Sequence, residues 1–213
     1  MKWPNGLRIS RMSGAENTFF VINTFDPLWN PIFSRMNEAD KQLLAGQICK
    51  GFYGFQTDGI LFLRAEKGFD FAWDFFNSDG SKAEMCGNAA RCATLFYHSK
   101  GKAMSPMRFL TGAGEILGQV VNPNEVQVEM TEISEAKSLT VLGCQGYFVN
   151  TGVPHFVLPM GPDRKLAMEL RKVPDFGPPG ANITFVEKIE NSSLNAVTFE
   201  RGVEDYTRAC GTG

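Results

Sequence analysis

The chain has 213 residues, of which 43% are hydrophobic, and a formal net charge of −2. Its lysines and arginines are scattered rather than gathered in a basic tract, which argues against nucleic acid or an anionic membrane as the main partner. The N-terminus has no apolar signal region and the longest apolar runs are only strand-sized, so we expect neither secretion nor membrane insertion. Five cysteines without an export signal favour reduced thiols in the cytoplasm.

The first half of the chain alternates short strands with two helices. Apolar spacing predicts a helix over 38–50 with Asn37 as its N-cap, and an Ala-rich helix over 89–97 that begins just after Cys86. Runs rich in β-branched and aromatic residues, bounded by Gly, Asn, Asp or Pro, predict strands. These strands are 18–23, 59–64, 69–76, 107–110, 116–121 and 126–130.

The second half repeats this rhythm after residues 131–137, where the sequence turns polar. Strands are predicted at 146–149, 156–158, 183–189 and 195–200, with a helix over 163–171 between them. The length is that of two domains of roughly 100 residues each. We therefore expect one domain over 1–130 and a second over 131–213.

Two segments of the chain look like copies of one another. A shift of 124 residues places 75–88 on 199–212 without a gap, so that Phe75 meets Phe199 and Cys86 meets Cys210. A duplicated half that ends each time in Cys-Gly suggests two thiols, one from each of two related domains. Such a pair suits a reaction that needs similar groups on opposite faces of one carbon.

A cysteine at the start of a helix has an unusual environment. The first-turn N–H groups carry partial positive charge, which lowers the pKa of a thiol from roughly 8.5 towards neutrality and can hold a substrate carboxylate. Cys86 and Cys210 are therefore candidate bases. Cys49, Cys92 and Cys144 have no such context, and we expect them to be small buried side chains.

The chain resembles a known family, the diaminopimelate epimerases, along nearly its whole length. The resemblance is carried by several motifs in the family's order. They are Gly14-Ala15-Glu16-Asn17-Thr18-Phe19, Asn77-Ser78-Asp79-Gly80, Met85-Cys86-Gly87-Asn88-Ala89-Ala90-Arg91-Cys92, Asn150-Thr151-Gly152-Val153-Pro154-His155, Ala181-Asn182-Ile183-Thr184-Phe185, Glu200-Arg201-Gly202 and Ala209-Cys210-Gly211-Thr212-Gly213.

The resemblance implies an α/β (α+β) fold of two similar, pseudo-symmetric domains, each a strand-rich, barrel-like sheet around a central helix. It also implies a cofactor-independent isomerase that interconverts LL- and meso-diaminopimelate in lysine and peptidoglycan precursor biosynthesis. The only partner expected is this small-molecule substrate, with no metal, no nucleic acid and no membrane. The sequence leaves the oligomeric state open, with a homodimer as one option.

The resemblance also implies roles for individual residues. One of Cys86 and Cys210 removes the α-proton as thiolate, and the other returns a proton from the opposite face, with His155 and Glu200 flanking the reacting centre. The remaining predicted residues bind substrate. The reacting carboxylate is assigned to Gly87, Asn88, Gly211 and Thr212, and the other polar groups to Asn17, Asn77, Asn182 and Arg201.

The sequence departs from the family pattern at several positions. Val153 stands where some members have Asn, Thr18 where Asp is common, and Gln56 interrupts a Gly-x-Gly pattern; these changes bear on substrate choice and not on the thiols. The chain stops at Gly213, so we expect the second half to be incomplete, lacking its final helix and strands. We accordingly expect the 213-residue chain alone to be weakly active or inactive.

Two other interpretations stay open from the sequence. A proline or hydroxyproline racemase would use the same two-cysteine logic, although the Asn88-Ala89-Ala90-Arg91 segment favours diaminopimelate. A non-catalytic binding protein would keep the same fold without turnover.

Overall fold

The computed structural model describes residues 8–51, 54–101, 105–130, 132–178, 180–190, 193–207 and 209–211. The chain divides into two compact units, Met1–Glu129 and Met130–Gly213. Each unit is built on its own β-sheet, and the two are described separately below.

The first unit contains an eight-stranded sheet. The strands are β1 (Ser10–Gly14), β2 (Asn17–Asn23), β3 (Gly59–Arg64), β4 (Phe71–Asn77), β5 (Lys82–Ala83), β6 (Met107–Thr111), β7 (Gly114–Asn122) and β8 (Glu125–Glu129). Their spatial order is β1-β2-β3-β4-β6-β7-β8, with β5 paired to β4. Most neighbouring strands are antiparallel, but β2 and β3 are parallel, as are β4 and β6.

Two helices, α1 (Asn30–Phe33) and α2 (Glu38–Ile48), connect the parallel strands β2 and β3 and cover one face of the sheet. Alternate strand residues such as Phe20 and Ile60 pack against them, as the period-2 geometry of a strand requires. The start of α2 carries a capping box, in which Asn37 accepts the Asp40 N–H at 2.9 Å and Asp40 accepts the Asn37 N–H at 3.1 Å. The predicted N-cap is confirmed.

The third helix, α3 (Gly87–Ser99), packs on the other face of this sheet. It contacts β1, β2 and β3 from one side of the strand order and β7 and β8 from the other side. A sheet whose two ends both reach one helix must curl around it, which agrees with the strong natural twist of β-sheets. The expectation of a strand-rich sheet around a central helix is confirmed for this unit.

The second unit contains a six-stranded sheet, whose strands are β9 (Lys137–Val141), β10 (Cys144–Asn150), β11 (Pro154–Leu158), β12 (Asn182–Glu190), β13 (Ser193–Glu200) and β14 (Asp205–Tyr206). Their spatial order is β14-β13-β12-β11-β10-β9. Helix α4 (Arg164–Leu170) and a 3₁₀ turn (Pro174–Phe176) connect β11 to β12 and pack on one face of the sheet, around a core that includes Phe156, Ile183 and Phe199.

The two sheets share one series of strand pairings. In each, an antiparallel pair (β1–β2 or β10–β11) is followed by a parallel pair (β2–β3 or β11–β12) and then by two antiparallel pairs. Both parallel pairs are joined by a helical crossover. The predicted similarity of the two halves is therefore confirmed at the level of topology.

Among the described residues, no helix combines the length and the apolar character that a membrane crossing requires.

One hairpin of the second unit contains a residue in an unfavourable backbone conformation. The β9–β10 turn places Leu142 at φ 48° and Gly143 at φ 78°, so that both central residues are left-handed, as in a type I′ turn. Leu142 is also exposed. An unbranched polar residue that tolerates this region would fit better.

We predict that Leu142→Asn, which creates the Asn-Gly pair preferred in such turns, raises the free energy of unfolding by about 1 kcal/mol. The midpoint of urea unfolding measures this change. Leu28→Asn is the matched control, because Leu28 is also exposed but its backbone does not have the positive φ of the left-handed region. Equal midpoints for the two variants would contradict the prediction.

Candidate functional site

Cys86 is the N-cap of helix α3. Its backbone is extended (φ −152°, ψ 122°), and its carbonyl accepts the first helical hydrogen bond, from the Ala90 N–H at 2.9 Å. The sulfur therefore stands at the positive end of a 13-residue helix, beside first-turn N–H groups that have no acceptor within the helix. The predicted position of Cys86 at a helix start is confirmed.

Asn88, in the first turn of α3, is almost fully buried and links the helix to strand β2. Its Nδ2 donates to Asn17 Oδ1, and its Oδ1 accepts from Arg91. Because a guanidinium can only donate, Arg91 fixes which end of the Asn88 amide faces Asn17. Two of the predicted substrate residues are thus brought together, and Arg91 is a supporting residue whose role the motif alone did not reveal.

The β1–β2 turn brings Asn17 close to the helix. A Cβ atom on Gly14 would stand 2.7 Å from the Asn88 carbonyl oxygen, so only glycine permits this approach. The next two residues, Ala15 and Glu16, have φ values of 48° and 69°. A left-handed pair without glycine is strained, and such strain is often found beside functional groups.

Asn77 lies at the same edge of the sheet as Asn17. Strand β2 runs parallel to β3 with Phe19 opposite Gly59, and β4 runs antiparallel to β3 with Asn77 opposite Gly59. The starts of β2 and β3 therefore meet the end of β4. The Asn77 side chain donates to Ser81 Oγ at 3.0 Å, which holds it at the following turn.

A cavity of about 620 Å³ lies on the opposite face of this sheet edge. The residues that line this cavity include Thr18, Asp58 and Ser78. They are the chain neighbours of Asn17, Gly59 and Asn77, and successive residues of a strand point to opposite faces of the sheet. Thr18, at the position where the family often has Asp, donates its N–H to Asp58 at 2.7 Å and its hydroxyl at 3.2 Å. The cavity also includes Gln56, so two of the departures from the family pattern lie on this face.

The cysteines of the first unit differ in environment. Burial raises the pKa of Cys49 to about 11 and that of Cys92 to about 12. Both stay protonated at neutral pH and pack in the protein interior. Their assignment as buried side chains is confirmed, whereas the same expectation is wrong for Cys144 of the second unit, which is half-buried. Cys86 is the cysteine of the first unit at a helix start.

In the second unit, His155 lies in the middle of a buried row of hydrogen-bonded polar side chains. Its Nδ1 is 2.9 Å from Thr184 Oγ1, which is 3.0 Å from Thr198 Oγ1, and its Nε2 is 3.2 Å from Asn182 Nδ2. The Arg201 N–H donates to Asn182 Oδ1 at 2.8 Å, so the other end of that amide is its nitrogen. An amide nitrogen can only donate, and His155 Nε2 therefore carries a lone pair while Nδ1 carries the proton.

Asn182, Glu200 and Arg201 lie together at one edge of the second sheet. His155 pairs with Asn182 across the parallel strands β11 and β12, whereas Glu200 ends the antiparallel strand β13. The Thr207 hydroxyl donates to a Glu200 carboxylate oxygen. This arrangement of two strand starts beside one strand end matches the edge that carries Asn17 and Asn77 in the first unit.

Cys210 and Gly211 follow β14 in a segment without helix or strand, where Cys210 is half-buried and Gly211 exposed. Thr212, predicted to bind substrate, lies outside the described residues. Among the residues described, no group of three or more His, Cys, Asp or Glu side chains is arranged to hold a metal ion.

The buried His155 gives a pH-dependent stability. Burial, with a contribution from the positive charge of Arg201, lowers its pKa from 6.5 to about 4. Because the folded-state pKa lies below the unfolded value, the unfolded chain takes up this proton first as the pH falls. The fold therefore loses stability as the pH falls from 6.5 to 4.

We predict that this loss amounts to about 3 kcal/mol and is absent from His155→Gln, which cannot titrate. Urea unfolding of both chains at a series of pH values isolates the histidine, because all carboxylates are common to the two. His98→Gln, at the exposed end of α3, is the control and should follow the wild-type curve. Parallel curves for wild type and His155→Gln would contradict the prediction.

Several solved structures share this fold. A hydroxyproline epimerase from Agrobacterium vitis aligns with a TM-score of 0.69 at 13% identity, over 96% of this chain and 73% of its own. A phenazine biosynthesis protein of the PhzF family from Bacillus anthracis aligns with a TM-score of 0.63 at 13% identity, over 96% and 75%. Structural matches at such low sequence identity show the fold alone. These matches confirm the expected mixed α/β class.

Sequence relatives give a closer match. A family model described as diaminopimelate epimerase matches residues 9–135. The diaminopimelate epimerase of Aquifex aeolicus is 39% identical over 215 residues, covering 95% of this chain and 77% of the relative. That of Campylobacter jejuni (strain 81116) is 38% identical, covering 93% and 76%. The chain therefore belongs to the diaminopimelate epimerase family and is an isomerase.

Proposed function

We propose that this protein interconverts LL- and meso-diaminopimelate by a two-base mechanism without a cofactor. The observation that carries the proposal is the position of Cys86 at the N-terminus of α3, next to the Asn88–Asn17 pair, in a chain 39% identical to a diaminopimelate epimerase. The product would serve the synthesis of lysine and peptidoglycan precursors.

The first step is removal of the α-proton. The helix N-terminus stabilises negative charge on the Cys86 sulfur, so the thiolate is available as a base. Proton transfer to sulfur leaves a carbanion, whose electron pair spreads into the neighbouring carboxylate. Because an amino acid α-proton is very weakly acidic, donors aimed at that carboxylate must supply much of the stabilisation.

The second step returns a proton from the opposite face. Cys210, as the thiol, donates its proton to the carbanion, so the configuration inverts and Cys210 becomes a thiolate. Before the next turnover the Cys86 thiol loses its proton to solvent, and the Cys210 thiolate takes one up. In the reverse direction the two cysteines exchange roles. The reaction thus balances without an oxidant or an added group.

The N–H groups that follow each cysteine are the proposed donors to the reacting carboxylate. Gly87 and Asn88 lie in the first turn of α3, where the amides point towards the helix end. Gly211 and Thr212 are assigned the same role after Cys210. The absence of a side chain at Gly87 and Gly211 permits close approach of the ligand.

The remaining polar groups of the substrate need their own partners. We assign them to Asn17, Asn77, Asn182 and Arg201, of which Arg201 suits the distal carboxylate because its planar fork can donate two parallel hydrogen bonds. The amide orientations fixed by Arg91 at Asn88 and by the Arg201 N–H at Asn182 support this assignment. Amides held in one orientation discriminate between donor and acceptor groups of a ligand.

His155 and Glu200 are proposed to act beside the reacting centre as acceptors. The neutral His155 carries its lone pair on Nε2, and its lowered pKa keeps it unprotonated near pH 7. It can therefore accept a hydrogen bond, as it does from Asn182 Nδ2, but with so low a pKa it neither supplies a proton nor takes one from a thiol. Glu200, with one oxygen held by Thr207, has a carboxylate suited to the same task.

The two-cysteine mechanism predicts that Cys86→Ala and Cys210→Ala each lower α-proton exchange roughly 10²–10⁴-fold, the usual contribution of a general acid or base. Incorporation of solvent deuterium at the α-carbon of LL-diaminopimelate, followed by mass spectrometry, measures the rate. Cys144→Ala is the matched control, because Cys144 is half-buried on β10, outside the proposed site. Wild-type exchange in Cys86→Ala would contradict the mechanism.

The same assay separates the alternative functions. Deuterium exchange into proline or hydroxyproline, with none into diaminopimelate, would indicate a racemase of the proline type. Binding of diaminopimelate measured by calorimetry without exchange would indicate a non-catalytic binding protein. Exchange into diaminopimelate and not into proline is the result that we expect, at the low rate expected of the 213-residue chain alone.

A further inference from the structure

Two arginines, one at the start of α4 and one at its C-cap, form ion pairs with the hairpin of β13 and β14. Arg164 pairs with Asp205 at 3.2 Å, and both side chains are more than half exposed. Arg171, the C-cap of α4, pairs with Glu204; the Arg171 side chain is 12% exposed and the Glu204 side chain 43% exposed. The second pair is therefore better shielded from solvent than the first, on its arginine side, so charge–charge attraction is weakened less there.

The backbone of Arg171 is held on both sides. Its N–H donates to the Ala167 carbonyl at 3.0 Å, which ends the helix, and its carbonyl accepts the Ala181 N–H at 3.1 Å. A Cβ on the neighbouring Gly180 would lie 2.1 Å from the Arg171 carbonyl oxygen, so the two segments are in close contact. Arg171 is thus a fixed point next to Asn182, the residue that follows Ala181.

The carboxylate of Glu204 is the hydrogen-bonding centre of the turn between the two strands. Arg171 Nε donates to Oε2 at 2.6 Å, Nη2 pairs with Oε1, and the Gly202 N–H donates to Oε1 at 3.2 Å. The Glu204 N–H donates to the Glu200 carbonyl at 2.9 Å, and its φ of 59° lies in the left-handed region. These contacts hold a backbone conformation that a non-glycine residue adopts only when its surroundings enforce it.

The charge of this carboxylate is also secured. Partial burial by itself would raise the pKa of Glu204, but the hydrogen bonds from Arg171 and from the Gly202 N–H more than offset this and keep it below the usual value. The fork from Arg171 therefore persists across the neutral pH range. A bidentate pair of this kind fixes orientation as well as distance.

The turn held in this way presents two residues of the proposed site. Arg201 is its first residue, with its N–H on Asn182, and Glu200 precedes it at the end of β13. We propose that Arg171 is a positioning residue, which acts through Glu204 to hold the 200–204 turn so that Arg201 and Glu200 face the substrate in one geometry. This inference rests on the proposed function and adds to it a specificity element outside the family motifs quoted above.

The test compares Arg171→Gln with Arg164→Gln, a matched pair in which each variant loses one arginine of the same helix and one ion pair to the same hairpin. Two measurements are made: kcat and KM for α-proton exchange with diaminopimelate, and backbone amide hydrogen exchange at Arg201, Gly202 and Glu204 without ligand. Thermal unfolding of each variant shows that it is folded under the assay conditions.

For Arg171→Gln we expect kcat/KM to fall roughly 10- to 100-fold, mainly through a higher KM, because misplacement of a binding group by about 1 Å has effects of this size. Amide exchange at Gly202 and Glu204 should become faster. Arg164→Gln should stay within about twofold of wild type in both measurements, since exposed ion pairs contribute little.

Arg171→Lys and Glu204→Gln extend the test and replace it where Arg171→Gln does not fold. Lysine keeps the charge without the fork, so intermediate values are expected. Glu204→Gln should reproduce Arg171→Gln, and the double variant should be no worse than either single variant, because both remove the same interaction.

The outcomes separate this inference from the proposed function. Exchange into proline and not into diaminopimelate by the wild-type chain contradicts the proposed function, whereas the amide exchange decides whether Arg171 holds the turn even where α-proton exchange by the 213-residue chain is too slow to measure. An active wild type together with an Arg171→Gln variant that matches Arg164→Gln in kinetics and amide exchange would overturn the inference.

Discussion

The site residues of each unit depend on one constraint, the meeting of two parallel strand starts with one antiparallel strand end at the same sheet edge. At each such edge a polar side chain from the central parallel strand, or from just ahead of it, accepts a backbone N–H from a neighbour. Asp58 accepts from Thr18 in the first unit, and Asn182 accepts from Arg201 in the second. These two acceptors are related by the 124-residue shift that also relates the cysteines. The duplicated sequence therefore keeps an accepting polar side chain at this position, although it accepts from the parallel neighbour strand in the first unit and from the end of the antiparallel neighbour in the second.

The sequence was sufficient to predict the elements that have strong apolar patterns. Strand β3 and helix α3 are buried over most of their length, so hydrophobic runs and spacing revealed them directly. Strand β1 and strand β9 were missed because they are edge-like, with exposed polar residues that look like loops. Their place in the sheet comes from pairing with β2 and β10, which is information that a local pattern does not contain.

The candidate site was predictable only in part for a related physical reason. Motifs identified the residues that end or begin an element, such as Cys86 at a helix start and Asn77 at a strand end. They did not identify the groups that hold these residues in place. Thr184 supports His155 from 29 residues away and Arg171 pairs with Glu204 across 33 residues. Contacts of this kind require the tertiary structure, because their partners share no local spacing.

The polar contacts around the candidate site have a common property. Each contact fixes which atom of the next polar group donates a hydrogen bond and which atom accepts one. Arg91 sets the amide of Asn88, the Arg201 N–H sets that of Asn182, and the latter in turn sets the tautomer of His155. A carbanion formed from an amino acid is stabilised chiefly by dipoles that are already oriented when the proton leaves, since reorienting them would add to the barrier. An enzyme with modest bases, as we propose for this chain, therefore depends on amide groups whose directions are fixed beforehand. Within the same unit, burial raises the pKa of Cys49 and Cys92 and keeps both thiols protonated, whereas Cys86 lies at a helix N-terminus.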